Sequence, residues 1–387
     1  MTFSTYQQKL RVDFSFPVMF TRDVFDPGNR CLRSVMKAPT SGGVSRCVVV
    51  VEEAVANAHP GLCKAAEEYL RGVDGVSMLA ATIRVERGGE EVKGGWKAMQ
   101  SLAEWMISAR LCRHSYVLVV GGGALLDAVG CAAALVHRGM RVIRLPTTVL
   151  GQNDAGVGVK TAINLASGKN IIGTFSPPHA VINDSLFLQT LPWEGWRDGI
   201  AEAIKVAMIK DAGFFREVSR DMGRYRERSL EAMERLVRRC AELHLDHIRE
   251  GGDPFETGSS RPLDFGHWSA HQLELLSGYT MSHGEAVGLG IRIDTNYATQ
   301  MGWLSGWEAA EVQNVLTAAG FPLWCEALSL RDERGQRRVL EGLERFREHL
   351  GGTLTLVFPA GLGAMREERE ISLEVLNEML DEMDPHA

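Results

Sequence analysis

The sequence predicts an α/β domain followed by an all-α domain. Three observations carry that expectation. β-branched runs alternate with helical patterns in the first half; a strand, a triple glycine and a helix stand in unbroken order at 116–139; and from about Leu191 apolar residues recur at helical spacing. At 387 residues the chain is long for one core, so two domains are expected on size alone.

Taken in order, "CVVVVEEAV" (47–55) reads as a buried strand and "HPGLCKAAEEYLRGV" as the helix after it. "YVLVVGGGALLDAVGCAAALVHRG" (116–139) reads as strand, glycine turn and helix, and "MRVIRLPTT" (140–148) as another strand. Such alternation predicts a parallel sheet covered by helices. The stretch 147–175 looks loop-like, and is too long to be structureless without a purpose. Beyond it, "WEGWRDGIAEAIKVAMIKDAGFF", "SLEAMERLVRRCAELHLDHIRE", 264–277, 283–301, 307–319 and the tail "SLEVLNEMLDEM" carry helical periodicity. The boundary is expected near "LPWEGW", giving tightly packed domains of 1–192 and 193–387.

Composition is that of a globular protein, 45% apolar and 24% charged, with a net charge of −7 that argues against a general nucleic-acid or membrane-surface role. Seven scattered cysteines include no Cys-x-x-Cys pair, so neither a disulfide framework nor a thiolate zinc site is expected. No apolar run approaches the roughly 20 residues that span a bilayer, and the N-terminus lacks a signal-like apolar region. A reduced, cytoplasmic protein is the expectation.

Gly121, Gly122 and Gly123 follow a strand and open a helix. There the backbone can approach a ligand closely, and the helix N-terminus offers free N–H groups and partial positive charge, which is what a dinucleotide pyrophosphate needs. A purely structural turn remains the alternative, because the spacing is not G-x-G-x-x-G. Glu52 and Glu53, ending the first strong strand, are either acceptors for ribose hydroxyls or exposed loop acids.

"DFGHWSAHQLELLSGYTMSHGEAVGLGI" (264–291) holds three of the eleven histidines. His267 and His271 share a helix face one turn apart; the intervening "WSA" lacks the glutamate of H-E-x-x-H. His283 opens the next helix. Two histidines and a carboxylate make a three-ligand site with an open position, as catalytic zinc requires, and Glu202 in "GIAEAIK" is the best carboxylate, with Lys205 on the same face. Asp154, Lys160, Lys169 and Asn170, among glycines in 147–175, suggest a cleft whose lysines act as point charges for phosphate.

"GGGALLDAVG", "HRG", "LPTTVLGQNDAGVGVKTAINLASGKNIIGTF", "LPWEGWRDGIAEAIK" and "FGHWSAH…HGEAVGLGI" occur in the order in which the sugar phosphate cyclase superfamily carries them. From about residue 45 to its C-terminus the chain resembles that superfamily, whose best-known member is 3-dehydroquinate synthase. The resemblance implies a Rossmann-like NAD-binding domain, a helical metal-binding domain and an active site between them. It implies Glu202, His267 and His283 as ligands of Zn²⁺, with Co²⁺ or another divalent ion as substitutes. His271, Lys160, Asn170 and Arg138 would grip phosphate, Arg138 from the second subunit of a homodimer. Asp154, Lys169 and Lys205 would line the substrate hydroxyls, and Glu90, Lys93, Asp127, Thr147 and Thr148 would face NAD beside the glycines and Glu52. The implied chemistry is transient oxidation by NAD, loss of phosphate, return of the hydride, ring opening and aldol closure to a carbocycle.

The chain departs from dehydroquinate synthases where those enzymes meet a substrate carboxylate. His244 stands at a lysine position; "R-x-x-x-N-x-G-H" becomes "RPLDFGH", with Arg261 one residue closer and Asp264 for Asn; and an Asp-Lys-Lys run is replaced near Phe346, Arg347 and Glu348. An acid there repels a carboxylate, at a cost on the order of several kcal/mol when desolvated, but accepts hydrogen bonds from hydroxyls. The expected substrate is therefore the phosphorylated seven-carbon sugar without a carboxylate, sedoheptulose 7-phosphate, and the product a C7 cyclitol. Retention of His271 points to the 2-epi-valiolone type. The rivals are a polyol dehydrogenase on the same scaffold, disfavoured because Gly130 takes the lysine position of G-G-G-S-x-x-D-x-x-K, and a non-catalytic binding protein, disfavoured by the complete ligand set.

Overall fold

The computed structural model describes residues 4–38, 44–165, 168–251, 253–255, 258 and 261–385. Its main sheet is built from β1 (Val18–Thr21), β2 (Ser45–Glu52), β3 (Val76–Glu86), β4 (Tyr116–Gly121) and β5 (Arg141–Pro146), together with β8 (Ala180–Asp184), which follows the hairpin β6 (Lys160–Leu165) and β7 (Gly168–Phe175). All six strands of the main sheet are parallel, in the order β1-β8-β5-β4-β2-β3. Helices α1 (Cys31–Val35), α2 (Glu53–Ala58), α3 (Leu62–Arg71), α4 (Gly95–Ser108) and α5 (Gly123–Leu135) alternate with them.

The run of apolar residues in β2 explains its central place. Cys47, Val49 and Val51 enter one apolar layer while Val48 and Val50 enter the other, all fully buried. A strand covered on both faces has no need of polar alternation. Chain order reverses between β2 and β4, so their carboxyl ends flank the switch point where open α/β sheets hold ligands.

The stretch read as a loop after β5 is ordered. It forms a single π-helical turn at Gly151–Ala155 and then the antiparallel β6–β7 hairpin, in which Lys160 faces Phe175 and Ile163 faces Ile172. Glycines and polar residues concealed the strand period; Ala166 and Ser167 of this stretch lie outside the described residues. Buried Arg144 of β5 anchors the segment, donating to the carbonyls of Gly156 (3.1 Å), Gly158 (2.6 Å) and Lys160 (3.2 Å). Burial pushes its pKa down to about 10, so it stays charged.

From Trp193 the chain is mainly helical: α6 (Trp193–Lys210), α7 (Ala212–Arg226), α8 (Leu230–Glu250), α9 (His267–Leu276), α10 (His283–Gln300), α11 (Gly306–Ala319), α12 (Glu341–His349) and α13 (Leu373–Glu382). A short antiparallel hairpin, β9 (Leu356–Pro359) and β10 (Met365–Glu368), interrupts the helices. Among the described residues no helix is long and apolar enough to cross a membrane.

Glycines bring α6, α9, α10 and the segment after β5 together. A Cβ on Gly284 would lie 2.3 Å from Asp198 Cα, one on Gly199 2.3 Å from Val149 Cγ1, and one on Gly290 2.0 Å from the Gly266 carbonyl. Gly266 precedes α9 in the left-handed conformation, φ 79°. Gly290→Ala is therefore expected to cost about 1–3 kcal/mol by overpacking, read as a lowered Tm, and to displace His267 one residue away. A Tm equal to that of the parent would show that the helices can separate freely.

Candidate active site and metal centre

Glu202 on α6, His267 on α9 and His283 on α10 converge, each offering a ligand atom within 4.8 Å of the others. His283 Nε2 is 3.3 Å and His267 Nε2 3.7 Å from Glu202 Oε1. The local sequence sets each position. Ser282 caps α10 through a reciprocal capping box with Glu285, so the helix begins at His283, and Ser282 Oγ donates to Asp198 Oδ1 at 2.8 Å. His267 Nδ1 lies 3.1 Å from the Phe265 carbonyl, which leaves Nε2 as the lone-pair nitrogen facing Glu202.

This donor set fits a divalent ion. Glu202 is 1% exposed, yet neither of its carboxylate oxygens makes a hydrogen bond of good geometry, although Lys205 Nζ pairs ionically with Oε2. Burial opposes the Glu202 charge; Lys205 and the histidines outweigh it and lower its pKa. Burial also opposes the His283 charge, but contacts with Glu202 and Glu274 raise that ring to about 10. Two carboxylates against one imidazole leave excess negative charge there, which favours a cation. One oxygen and two nitrogens suit zinc and its neighbours.

Asp154, on the π-helical turn, accepts from His244 Nδ1 at 2.9 Å. Burial works against its ionisation, and Lys205, His244 and His267 more than compensate, holding it far below the usual range. Asp264 is ionised in the same way: desolvation is overcome first by Lys160, then by His267, Lys205 and His271. His271 stands beside these three residues, its ring centroid 5.3 Å from that of His267 and 6.3 Å from that of His283. The enclosing cleft and those two rings push its pKa down, so it is neutral at pH 7. Lys169 reaches Glu274 Oε1 at 3.0 Å and lies 4.6 Å over the Tyr279 ring. Arg261 donates to the Gly258 carbonyl at 2.7 Å. At the replaced run on α12, Phe346 is in the core while Arg347 and Glu348 are exposed.

The switch point carries a second group. Gly122 caps α5, and its N–H donates to Glu52 Oε2 at 2.6 Å; the carboxylate takes the place of an anion at the helix N-terminus. A Cβ on Gly121 would lie 2.7 Å from Leu125 Cδ2, one on Gly122 3.3 Å from Thr148 Cγ2 and one on Gly123 3.2 Å from Ala155. Thr147 N–H donates to the Gly121 carbonyl at 3.1 Å. Glu53 begins α2 instead of facing this turn. Nearby, Lys93 donates to Asp127 Oδ2 at 2.9 Å and pairs with Asn170 Oδ1, and Glu90 accepts from Asn164 at 2.6 Å. Asn170 thus joins the Lys93–Asp127 group.

Arg138 stands apart. It is exposed in a tight turn after α5, with φ 62°, while the glycine turn is at the other end of that 13-residue helix. At 1.5 Å per residue the two ends are roughly 20 Å apart.

Two buried acids escaped the sequence reading. Glu274 follows His267 and His271 at helical spacing and touches both Lys169 and His283; its i, i+7 relation to His267 was the available signal. Asp294 on α10 accepts from Trp268 Nε1 (2.8 Å) and Gly266 N–H (2.9 Å), bracing the start of α9. Burial raises its pKa to about 7 despite both donors. An acid raised in the fold holds its proton more tightly than the unfolded chain does. Its ionisation therefore costs nothing below the unfolded value near pH 4 and progressively more up to pH 7, on the order of 4 kcal/mol in all. Unfolding curves of Asp294→Asn should lose that slope between pH 4 and 7, so the variant gains on the parent as pH rises. Parallel pH profiles would contradict the assignment.

A parallel sheet with a glycine turn at its switch point, set against helices that gather a carboxylate and two imidazoles, defines a two-domain metalloenzyme scaffold of the sugar phosphate cyclase kind. The profile of the 3-dehydroquinate synthase N-terminal domain matches residues 82–198 and that of its C-terminal domain matches residues 199–338. The chain belongs to the 3-dehydroquinate synthase family, within the sugar phosphate cyclase superfamily. It is 35% identical over 276 residues to 3-dehydroquinate synthase of Pelobacter propionicus, covering 71% of this chain and 74% of that one. It is 32% identical over 320 residues to 2-epi-valiolone synthase of Actinosynnema mirum, covering 82% and 81%. The structure of ValA, the 2-epi-5-epi-valiolone synthase of Streptomyces hygroscopicus subsp. jinggangensis, with NAD⁺ and Zn²⁺ bound, superposes with a TM-score of 0.85 at 25% identity, covering 98% and 99% of the two chains.

Proposed function

We propose that the enzyme converts sedoheptulose 7-phosphate into a C7 cyclitol of the 2-epi-valiolone type, with loss of phosphate, using NAD and a divalent metal ion. The observation that carries this reading is the negative Asp264, set among Lys160, Lys205 and the histidines, with His244 held on Asp154. A substrate carboxylate would meet that charge; hydroxyls find acceptors there. Likeness to 2-epi-valiolone synthase and to ValA supports the same choice. Likeness to 3-dehydroquinate synthases supports a second reading, a carboxylated heptulosonate 7-phosphate as substrate.

In this reading Glu202, His267 and His283 hold the metal. The glycine turn, Glu52, Thr147, Thr148 and the Lys93–Asp127 pair hold NAD, with Glu52 yielding the α5 N-terminus to the pyrophosphate. When bound, these groups supply Lewis acidity and a reversible hydride acceptor. The chain's own residues do the rest. Lys160 and neutral His271 orient the phosphate as it leaves, and Lys205 and Asp154 fix the hydroxyls next to the metal. Between them, Asp264 and His244 accept hydrogen bonds from the sugar hydroxyls and donate to them.

Arg138 completes the phosphate site only from a second copy. The groove beside it supports such a dimer: it is lined by Trp96, Met99, Ala103, Ile107, Leu135 and Val136, of which Trp96, Ile107 and Leu135 are 53%, 56% and 48% exposed.

Phosphate release with NAD⁺ and Zn²⁺ tests the proposal. Release is expected from sedoheptulose 7-phosphate and not from the carboxylated heptulosonate 7-phosphate. The opposite pattern would favour the second reading, and net NADH formation with a polyol would indicate a dehydrogenase.

A further inference from the structure

We propose that Glu274 is the positioning residue of the metal centre, fixing which nitrogen His283 presents and tying that histidine to Lys169 across the cleft. The inference rests on the reading that Glu202, His267 and His283 bind a metal. Glu274 lies seven residues after His267 on α9, hence on the same helix face, and its side chain is 5% exposed. One carboxylate oxygen accepts from Lys169 Nζ at 3.0 Å; the other is 3.6 Å from His283 Nδ1. The acid therefore links α9, α10 and the β6–β7 hairpin.

An imidazole can bind a metal through only one nitrogen, and a partner on the other decides which. For His267 the partner is the Phe265 carbonyl on Nδ1. His283 begins its helix, and the group facing its Nδ1 is Glu274, while its Nε2 faces Glu202. A carboxylate here, in place of a second carbonyl, also balances the ammonium of Lys169. The competing account is an ordinary Lys169–Glu274 ion pair with His283 merely adjacent.

Competition between apoprotein and a chromophoric chelator for Co²⁺ or Zn²⁺ separates the two accounts without any assay of turnover. Glu274→Gln is expected to weaken metal binding about 10–100-fold, the usual effect of losing an outer partner of a ligating histidine, and to alter the visible d–d spectrum of bound Co²⁺. Glu274→Asp, which retracts the charge by one methylene, should fall between Gln and the parent and serves if the Gln variant does not fold. Lys169→Met removes the ion pair but leaves the carboxylate, and should keep metal affinity close to that of the parent. Parent-like affinity in Glu274→Gln would overturn the proposal. So would a loss in Lys169→Met as large as that in Glu274→Gln, because the effect would then run through the ion pair. A parent apoprotein that binds neither ion would remove the metal centre itself, and is seen before any variant is made.

Discussion

Glu202→Gln is expected to lower kcat by roughly 10²–10³-fold or more, the scale of losing one preorganised stabiliser of developing charge. The substitution is nearly isosteric, so the loss would be electrostatic. It removes the one anionic member of the Glu202–His267–His283 cluster and the partner of Lys205 Nζ. Lys205 is 3% exposed, and breaking a buried pair costs about 3–5 kcal/mol, lessened here by the nearby Asp154 charge. A fall in activity could therefore reflect unfolding. Metal linkage distinguishes the two, since a ligand at a hundredfold its Kd adds about 2.7 kcal/mol to stability. The parent's Tm should rise on adding Zn²⁺ or Co²⁺ to the apoprotein, while the folded variant's Tm should stay flat. Chelation should silence the parent reversibly. A variant retaining a substantial fraction of parental activity would exclude Glu202 from the centre.

The convergence of Glu202, His267 and His283 was legible because each lies in a stretch with local helix signals. "SHGE" is a capping box that starts a helix at His283, "HWSAH" puts two imidazoles on one face, and "AEAIK" is plainly helical. The parallel sheet was legible from "CVVVVEEAV" and "YVLVVGGG" for the same reason: strand, turn and helix signals are short-range. What stayed hidden depends on tertiary placement. The β6–β7 hairpin is held to the sheet by Arg144, sixteen residues before Lys160, through backbone carbonyls that no side-chain pattern reveals. Glu52 could be read as a ribose acceptor or a loop acid until its carboxylate was seen on the Gly122 N–H, seventy residues away. Asp294 went unread because its donors, the Trp268 Nε1 and the Gly266 N–H, lie in and just before another helix, 26 and 28 residues earlier. The β9–β10 hairpin was missed because four-residue strands are too short for a period to show.

Replacing Asp264 and His244 should exchange the substrate. Asp264→Asn combined with His244→Lys is expected to move the kcat/KM ratio toward the carboxylated heptulosonate phosphate by roughly 10²-fold or more, at about 1.36 kcal/mol per decade. The two changes should contribute unequally. Asp264 is ionised because Lys160, His267, Lys205 and His271 overcome its desolvation, so a substrate carboxylate placed against it meets a full like charge, worth several kcal/mol across a specific contact. Asp264→Asn removes that repulsion outright. His244→Lys adds attraction, but Asp154 already accepts from position 244 at 2.9 Å and would neutralise part of the new ammonium. The first change should thus deliver most of the shift, and the second should show its full effect only when paired with it. The measurement is kcat/KM for both sugar phosphates with the parent, each single variant and the double variant. A parent that already prefers the carboxylated substrate would overturn the repulsion argument, and so would a double variant whose ratio does not move. If His244→Lys alone carried the shift, attraction rather than relief of repulsion would be what selects the substrate.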